Sequence, residues 1–208
     1  MEDIHEICNK MKKGINFARN KLMPALKEIE YISIQSEMLF DDVNENSLIL
    51  HKVIKKSDKK RSVVTRNAVR SSCACIEGFA YVLKNALRMT LETTPDGTYS
   101  KKQREFITNQ VSSGSGADNY KKALKCFAKK YDVNVKSMFD TQEFEQLKQV
   151  FDLRNRLMHP KSASDLNVTL DDAILLSDSI VWFINSQQEV FQQVFSDIEK
   201  QGEGLLVL

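Results

Sequence analysis

Apolar residues recur every three to four positions along most of the chain, a spacing that predicts amphipathic α-helices. In residues 1–56 this spacing predicts two helices divided near Pro24. The polar stretch at residues 41–46 predicts a further break, after which a helix resumes over residues 48–54. The basic run at residues 52–61 is typical of a solvated connector, with contact to phosphate as the alternative.

A long helix is predicted from Ser57 or Asp58 to about Glu92. Its apolar arc is wide, which is typical of a central bundle helix covered on more than one side. The polar positions form a narrow stripe, which comprises Arg66, Arg70, Glu77, Tyr81, Lys84 and Arg88. A solvated stripe with local ion pairs is one interpretation. In the other, Glu77 at the edge of the stripe pairs with a guanidinium that faces the core.

The section from residue 93 to residue 139 differs from its neighbours in composition. Residues 93–98 predict a turn, and a helix is expected from Ser100 to about Val111. A short flexible link precedes a basic helix over residues 117–131, whose lysines either guide a polyanion or form a solvated face. We interpret the section as an insertion between two core helices.

Two further helices complete the pattern. One begins near Asp140 with a capping sequence and ends at about His159, because the residue before Pro160 is disfavoured in the α region. The other begins at residues 169–172 and runs to about Lys200. The apolar tail after Gly202 either docks on a partner subunit or is disordered.

These elements together predict an all-α, up-and-down helical bundle, because no stretch of the chain sustains strand alternation. We expect residues 1–56 to form an N-terminal helical extension packed on the core. Residues 57–208 are expected to form one helical domain that contains the insertion at about residues 93–139.

Composition narrows the classes of function. The net charge of +2 makes no global case for nucleic acid, so such binding would need local patches. The four cysteines lack metal-ligand spacing, and we predict no metal and no cofactor. Glycine-rich phosphate loops and His-Glu-x-x-His patterns are absent from the sequence. We expect a cytoplasmic protein, since the N-terminus lacks a signal-peptide core and no apolar stretch is long enough for a membrane span.

The end of the helix near residue 159 concentrates the candidate chemistry. Arg154 falls in the middle of the apolar arc, so its guanidinium must be paired or must open into a cleft, whereas Arg156 falls on the opposite, solvated side. Glu77 is the candidate partner of Arg154. Asn155 and His159 are four residues apart and share a face. The alternative is a structural arginine with an incidental histidine that interacts with the helix dipole.

The Arg154-Asn155-x3-His159 pattern, followed by one more long helix, resembles the HEPN (higher eukaryotes and prokaryotes nucleotide-binding) family. Glu77 matches the acidic or polar position of the first core helix in that family. The resemblance covers about residues 60–93 and 140–200. It implies a four-helix core and a homodimer whose two motifs share a cleft.

By this resemblance the implied function is a metal-independent endoribonuclease, acting as a toxin or in defence against phage. His159 would be the general base or acid, and Arg154 would stabilise charge on the phosphate. Asn155 would orient the histidine or the phosphate, and Glu77 would hold Arg154 in place. The expected partners are RNA and possible antitoxin or defence-system proteins. Basic residues expected to contact RNA are Arg66, Arg70, Lys84, Arg88 and Lys161.

One departure from the family pattern affects regulation. Some of these toxins carry a modifiable tyrosine two residues after the histidine. This chain has Lys161 there, so we do not expect neutralisation by that route. Two other interpretations stay open at this point. One is a non-catalytic member that binds nucleotide or RNA or serves as an assembly subunit. The other is an unrelated bundle in which the pair of Arg154 and Glu77 is purely structural.

Overall fold

A computed structural model of the chain describes residues 4–53, 58–109 and 114–206, and every regular element among them is helical. The prediction of an all-α helical bundle is therefore confirmed. The predicted domain boundary between residues 56 and 57 lies outside the described residues. The α-helices of the described ranges are α1 (Ile4–Phe17), α2 (Met23–Val53), α3 (Asp58–Met89), α4 (Lys101–Thr108), α5 (Gly116–Lys130), α6 (Gln142–Met158) and α7 (Leu170–Leu206).

Helix α3 lies at the centre of the bundle, as its wide apolar arc predicts, and contacts α2, α4, α5, α6 and α7. Phe79 lies in the middle of the core. Its ring centroid is 5.7 Å from that of Phe183 of α7 and 5.9 Å from that of Phe40 of α2. Tyr120 of α5 lies 5.0 Å from Phe183. Four helices thus meet in one aromatic cluster, whose rings are packed mainly edge to face.

The N-terminal helices are divided where the sequence predicts. A π-helical segment, Ala18–Leu22, separates α1 from α2 and ends just before Pro24. Pro24 has no N–H to donate to a carbonyl in the preceding turn, and a π turn is a common adjustment to such a gap.

The break predicted at residues 41–46 is wrong, because α2 continues through it to Val53. Val43 is buried against the core, and Asn46 donates its side-chain N–H to the Asp42 carbonyl at 2.8 Å. Burial of the apolar face overrides the low helix propensity of this stretch.

The segment interpreted as an insertion supplies a core helix. Ser100 caps α4 in a reciprocal capping box with Gln103, and α4 ends at Thr108 rather than near Val111. Of the flexible link predicted at residues 112–116, residues 112 and 113 lie outside the described residues, whereas Ser115 caps α5 and Gly116 is its first residue. In α5 the buried face is broad and comprises Gly116, Ala117, Tyr120, Ala123, Leu124, Cys126, Phe127 and Ala128.

A buried ion pair joins α2 to the end of α5. Glu28 is 1% exposed. Its carboxylate forms an ion pair with the ammonium of Lys130 and accepts a hydrogen bond from the hydroxyl of Thr90. Tyr131 donates its hydroxyl to the second carboxylate oxygen of Glu28 at 2.6 Å. We call Glu28 and Lys130 the sealed pair. The sealed pair holds α2 against the end of α5, and the Glu28 carboxylate finds its hydrogen-bond partners inside the protein.

The last two helices differ from their predicted ends in small ways. The hydroxyl of Thr141 caps α6 by accepting the N–H of Phe144, one residue later than the predicted cap at Asp140. Met158, which helical periodicity places towards the core, is 47% exposed, whereas the adjacent Leu157 is 1% exposed and ends the packed face. Helix α7 continues through Gly202 to Leu206 instead of ending near Lys200.

Candidate active site at the end of α6

Arg154 is partly exposed on α6, whose core-facing side includes the buried Leu153 and Leu157. Its Nη2 donates to Oε2 of Glu77 on α3 at 2.9 Å. The side chains of Arg154 and Glu77 are 28% and 37% exposed. We call Arg154 and Glu77 the open pair. The partner that the sequence predicts for Arg154 is therefore present, and the pair is accessible to solvent.

Asn155 and His159 lie at the same helix end. Asn155 is exposed and accepts a hydrogen bond from Nη1 of Arg154 at 3.1 Å. His159 is the C-cap, with φ −128° and ψ 57°, so the helix ends directly before Pro160 as predicted. The His159 imidazole is exposed, and its backbone N–H donates to the Asn155 carbonyl at 3.1 Å.

Gly116 and Cys73, which the sequence analysis did not single out, lie close to the open pair. A Cβ added to Gly116, the first residue of α5, would lie 2.1 Å from Phe151 and 2.8 Å from Cγ of Glu77. Only a glycine lets α5 approach this closely, so Gly116 limits where Glu77 can lie. The available signal was the Ser115 cap, which marks the start of a helix rather than a flexible link.

The thiol of Cys73 lies one turn before Glu77 on α3, where its Sγ is 3.9 Å from the Val150 carbonyl. Burial raises the pKa of Cys73 to about 12, and the neighbouring Arg154 only partly offsets this effect. The thiol is therefore protonated at neutral pH, and Cys73 packs as a small apolar side chain instead of serving as a nucleophile.

The loop after His159 is held by short polar contacts. The carboxylate of Asp165 accepts the backbone N–H groups of Lys161 at 2.7 Å and Ser162 at 2.9 Å. These hydrogen bonds hold the pKa of Asp165 below its usual range. Arg156, predicted to be solvated, instead donates to the carbonyls of Asp165 and Asn167 at 2.9 and 3.0 Å, because the loop folds back over α6.

The basic residues predicted to contact RNA mostly make structural contacts. Arg66 donates to the Leu166 carbonyl at 2.9 Å, and Arg70 donates to the Leu157 carbonyl at 3.0 Å. Arg88 donates to the Ile107 carbonyl, at the end of α4. Lys84 is 1% exposed, and burial lowers its pKa. Lys161 is exposed beside His159. RNA binding by these residues stays a prediction.

Within the described ranges, no group of three or more His, Cys, Asp or Glu side chains is placed to hold a metal ion. The same part of the chain contains no helix with the length and apolar character of a membrane span.

The arrangement suits the recognition of a phosphate. The guanidinium is fixed on one side by Glu77 and Asn155, while part of it faces solvent, and a fixed fork of N–H donors binds phosphate well. An exposed imidazole, a side chain that can accept or donate a proton, lies at the same helix end. The open pair and His159 can therefore combine anion binding with proton transfer.

Comparisons with protein-family models, curated proteins and solved structures found no significant match to this chain. The resemblance to the HEPN family therefore rests on Arg154, Asn155 and His159 and on the order of the helices.

Proposed function

We propose that this chain is a metal-independent endoribonuclease of HEPN type, acting as a toxin or as a phage-defence effector. The observation that carries the proposal is the open pair: the arginine of the motif has the carboxylate partner that the sequence predicts and still faces solvent. His159 is exposed at the end of the same helix. This combination is what a site for RNA cleavage needs.

The proposed reaction is an intramolecular transesterification. The 2′-OH of one nucleotide attacks the adjacent phosphorus, so that the O2′–P bond forms and the P–O5′ bond breaks. One imidazole accepts the proton of the 2′-OH, and an acid donates a proton to the leaving 5′-oxygen. Arg154 stabilises the charge on the pentacoordinate phosphorane. The products are a 2′,3′-cyclic phosphate and a 5′-OH, and the proton count balances.

The two proton transfers call for two groups, and each chain offers one histidine at this helix end. A homodimer that joins two motifs in one cleft supplies both imidazoles, and Arg154 of one chain then acts beside the partner copy's imidazole. Mixing wild-type and His159→Ala proteins tests this directly. After subunit exchange of an equimolar mixture, only about a quarter of the dimers keep both imidazoles, so the rate should fall to about a quarter of that of the same total amount of wild type. A fall to only one half, as for chains that act independently, would contradict a shared site.

The second candidate function is a non-catalytic module that binds RNA or nucleotide or serves in assembly. One observation favours it: the Arg154 guanidinium already has two protein partners, Glu77 and Asn155, which is also how a purely structural arginine is held. If the chain is such a module, the wild-type protein binds RNA but releases no cleavage product.

The decisive test is incubation of the purified full chain with end-labelled single-stranded RNA in EDTA. The control is His159→Ala, which changes an exposed side chain at a helix cap and should leave the melting temperature unchanged. Cleavage by the wild type alone, with cyclic-phosphate ends, supports the proposal. Equal cutting by both proteins, or binding without cutting, would contradict it.

A further inference from the structure

A cleft of about 310 Å³ opens beside the open pair, between α3, α4 and the start of α5. Glu77 forms one wall, so the cleft and the candidate active site share a residue. The other walls include Tyr81 and Lys84 of α3, Phe106 of α4 and Asn119 of α5. Its volume falls at the lower end of the range of about 300–1,000 Å³ that is typical of ligand pockets.

The Asn119 side chain leaves an acceptor unused in this cleft. Its Nδ2 donates to the Gly114 carbonyl at 3.5 Å, whereas its Oδ1 is buried and has no hydrogen-bond partner among the described residues. Buried polar atoms are nearly always paired, and an exception calls for an explanation. A ligand N–H that enters the cleft would supply the missing donor.

Aromatic side chains form the flat part of the cleft. Tyr81, on the central helix α3, is 49% exposed. The Lys84 ammonium lies 4.9 Å from the centroid of Phe106 and covers that ring. Tyr81 is therefore the aromatic surface that the cleft offers to a ligand, and exposed aromatic rings in single-strand binding sites stack on bases.

We propose that this cleft is a nucleobase subsite, in which the base of a nucleotide next to the phosphate at Arg154 stacks on Tyr81 and donates an exocyclic N–H to Oδ1 of Asn119. This inference rests on the proposed function, because it assigns the specificity of the same site. The carbonyl acceptor selects bases that carry an amino group on the Watson–Crick edge, so cytosine is preferred to uracil, which presents a carbonyl at the same position.

The test compares two short, single-stranded ribo-oligonucleotides of equal length, one of cytidine and one of uridine, bound to His159→Ala protein. The His159→Ala background prevents cleavage during the measurement, and fluorescence anisotropy at neutral pH gives both dissociation constants. The oligocytidine should bind about tenfold more tightly, which is the effect of satisfying one buried acceptor. Equal affinities would overturn the subsite while leaving RNA binding itself intact.

Two substitutions in that background separate the parts of the cleft. Asn119→Leu should abolish the preference for cytidine, and this ratio is insensitive to a general loss of folded protein. Tyr81→Leu should weaken both oligonucleotides about fivefold or more by loss of stacking. Phe195→Leu is its matched control, since Phe195 is 45% exposed on α7, far along the chain from the cleft. A preference that survives Asn119→Leu, or a Tyr81→Leu protein that binds like Phe195→Leu, would overturn the proposal.

The outcome also separates this inference from the proposed function. Cleavage of RNA with no preference for either base would retain the ribonuclease and reject the subsite. Failure of every protein to bind either oligonucleotide would reject both.

Discussion

The sealed pair and the open pair are built from the same groups and differ in their access to water. Each joins a carboxylate to a cation across two helices, Glu28 to Lys130 in one case and Glu77 to Arg154 in the other. The side chains of the sealed pair are 1% and 10% exposed, against 37% and 28% in the open pair. The protein must therefore satisfy the first pair completely, and it leaves the second able to meet a ligand.

The residues around the two pairs also differ in their exposure to water. Around Glu28, hydroxyl groups of Thr90 and Tyr131 occupy the remaining lone pairs, as a buried carboxylate requires. Around Arg154, an exposed asparagine and an exposed histidine lie at a helix end. We infer that the sealed pair serves stability and that the open pair serves the proposed chemistry. The following predictions separate these roles, beginning with the largest expected effect on stability.

Glu28→Gln should destabilise the fold by about 3–5 kcal/mol, because it leaves the buried Lys130 ammonium without its counter-charge. Urea unfolding monitored by circular dichroism measures the change. Glu30→Gln is the matched control, since Glu30 is exposed on the same helix, and it should have little effect. A loss below about 1 kcal/mol for Glu28→Gln would place this pair with ordinary surface ion pairs.

Gly116→Ala should destabilise the protein by about 1–3 kcal/mol through overpacking, because the new Cβ meets Phe151 and Glu77. Gly14→Ala is the control: nothing lies within 4 Å of its Cβ position. There the helix interior should gain up to about 1 kcal/mol. In thermal unfolding, the melting temperature should fall for Gly116→Ala and should not fall for Gly14→Ala. Equal shifts of the melting temperature would show that α5 can move away from the open pair at no cost.

Arg154→Ala should cost only about 1 kcal/mol of stability or less, because water screens a pair that is about one third exposed. The same substitution should abolish RNA cleavage. Urea unfolding and the cleavage assay are made on one preparation. A loss of stability as large as that of Glu28→Gln, with no loss of activity, would identify Arg154 as a structural residue.

Asp165→Asn should have the smallest effect on stability, and that effect should depend on pH. Because the folded pKa of Asp165 is depressed, its carboxylate contributes stability that is fully present above the unfolded pKa of about 3.9. That contribution is lost as the pH falls through the lower, folded pKa. The difference in melting temperature between wild type and variant should therefore be present at neutral pH and vanish in stronger acid. A difference that is independent of pH would contradict this origin.

The sequence predicts the helices well where an apolar face repeats, and less well where polar residues interrupt it. The central position of α3 and the partner of Arg154 follow from which residues share a helical face, and both are present. The break near residue 43 was predicted from local propensity, but tertiary packing of Val43 decides its conformation. The contacts of Arg156 depend on the path of a loop, which helical periodicity cannot specify.

Residues that act through close approach are the hardest to find from sequence. Gly116 looks like part of a flexible link, and its role depends on a distance to Glu77 and Phe151 that appears only when α5 is packed on α3 and α6. Helical periodicity places Lys84 in a polar stripe, but the adjoining α4 covers it, and its ammonium lies over the ring of Phe106.

The most direct measurement compares RNA cleavage in EDTA by wild type, Glu28→Gln and Arg154→Ala at a temperature where all three proteins are folded by circular dichroism. We predict that Glu28→Gln, although much less stable, cleaves at close to the wild-type rate, and that Arg154→Ala does not cleave. Cleavage by Arg154→Ala at the wild-type rate would contradict the division of roles between the two pairs. Absence of cleavage by the wild type would contradict the proposed ribonuclease.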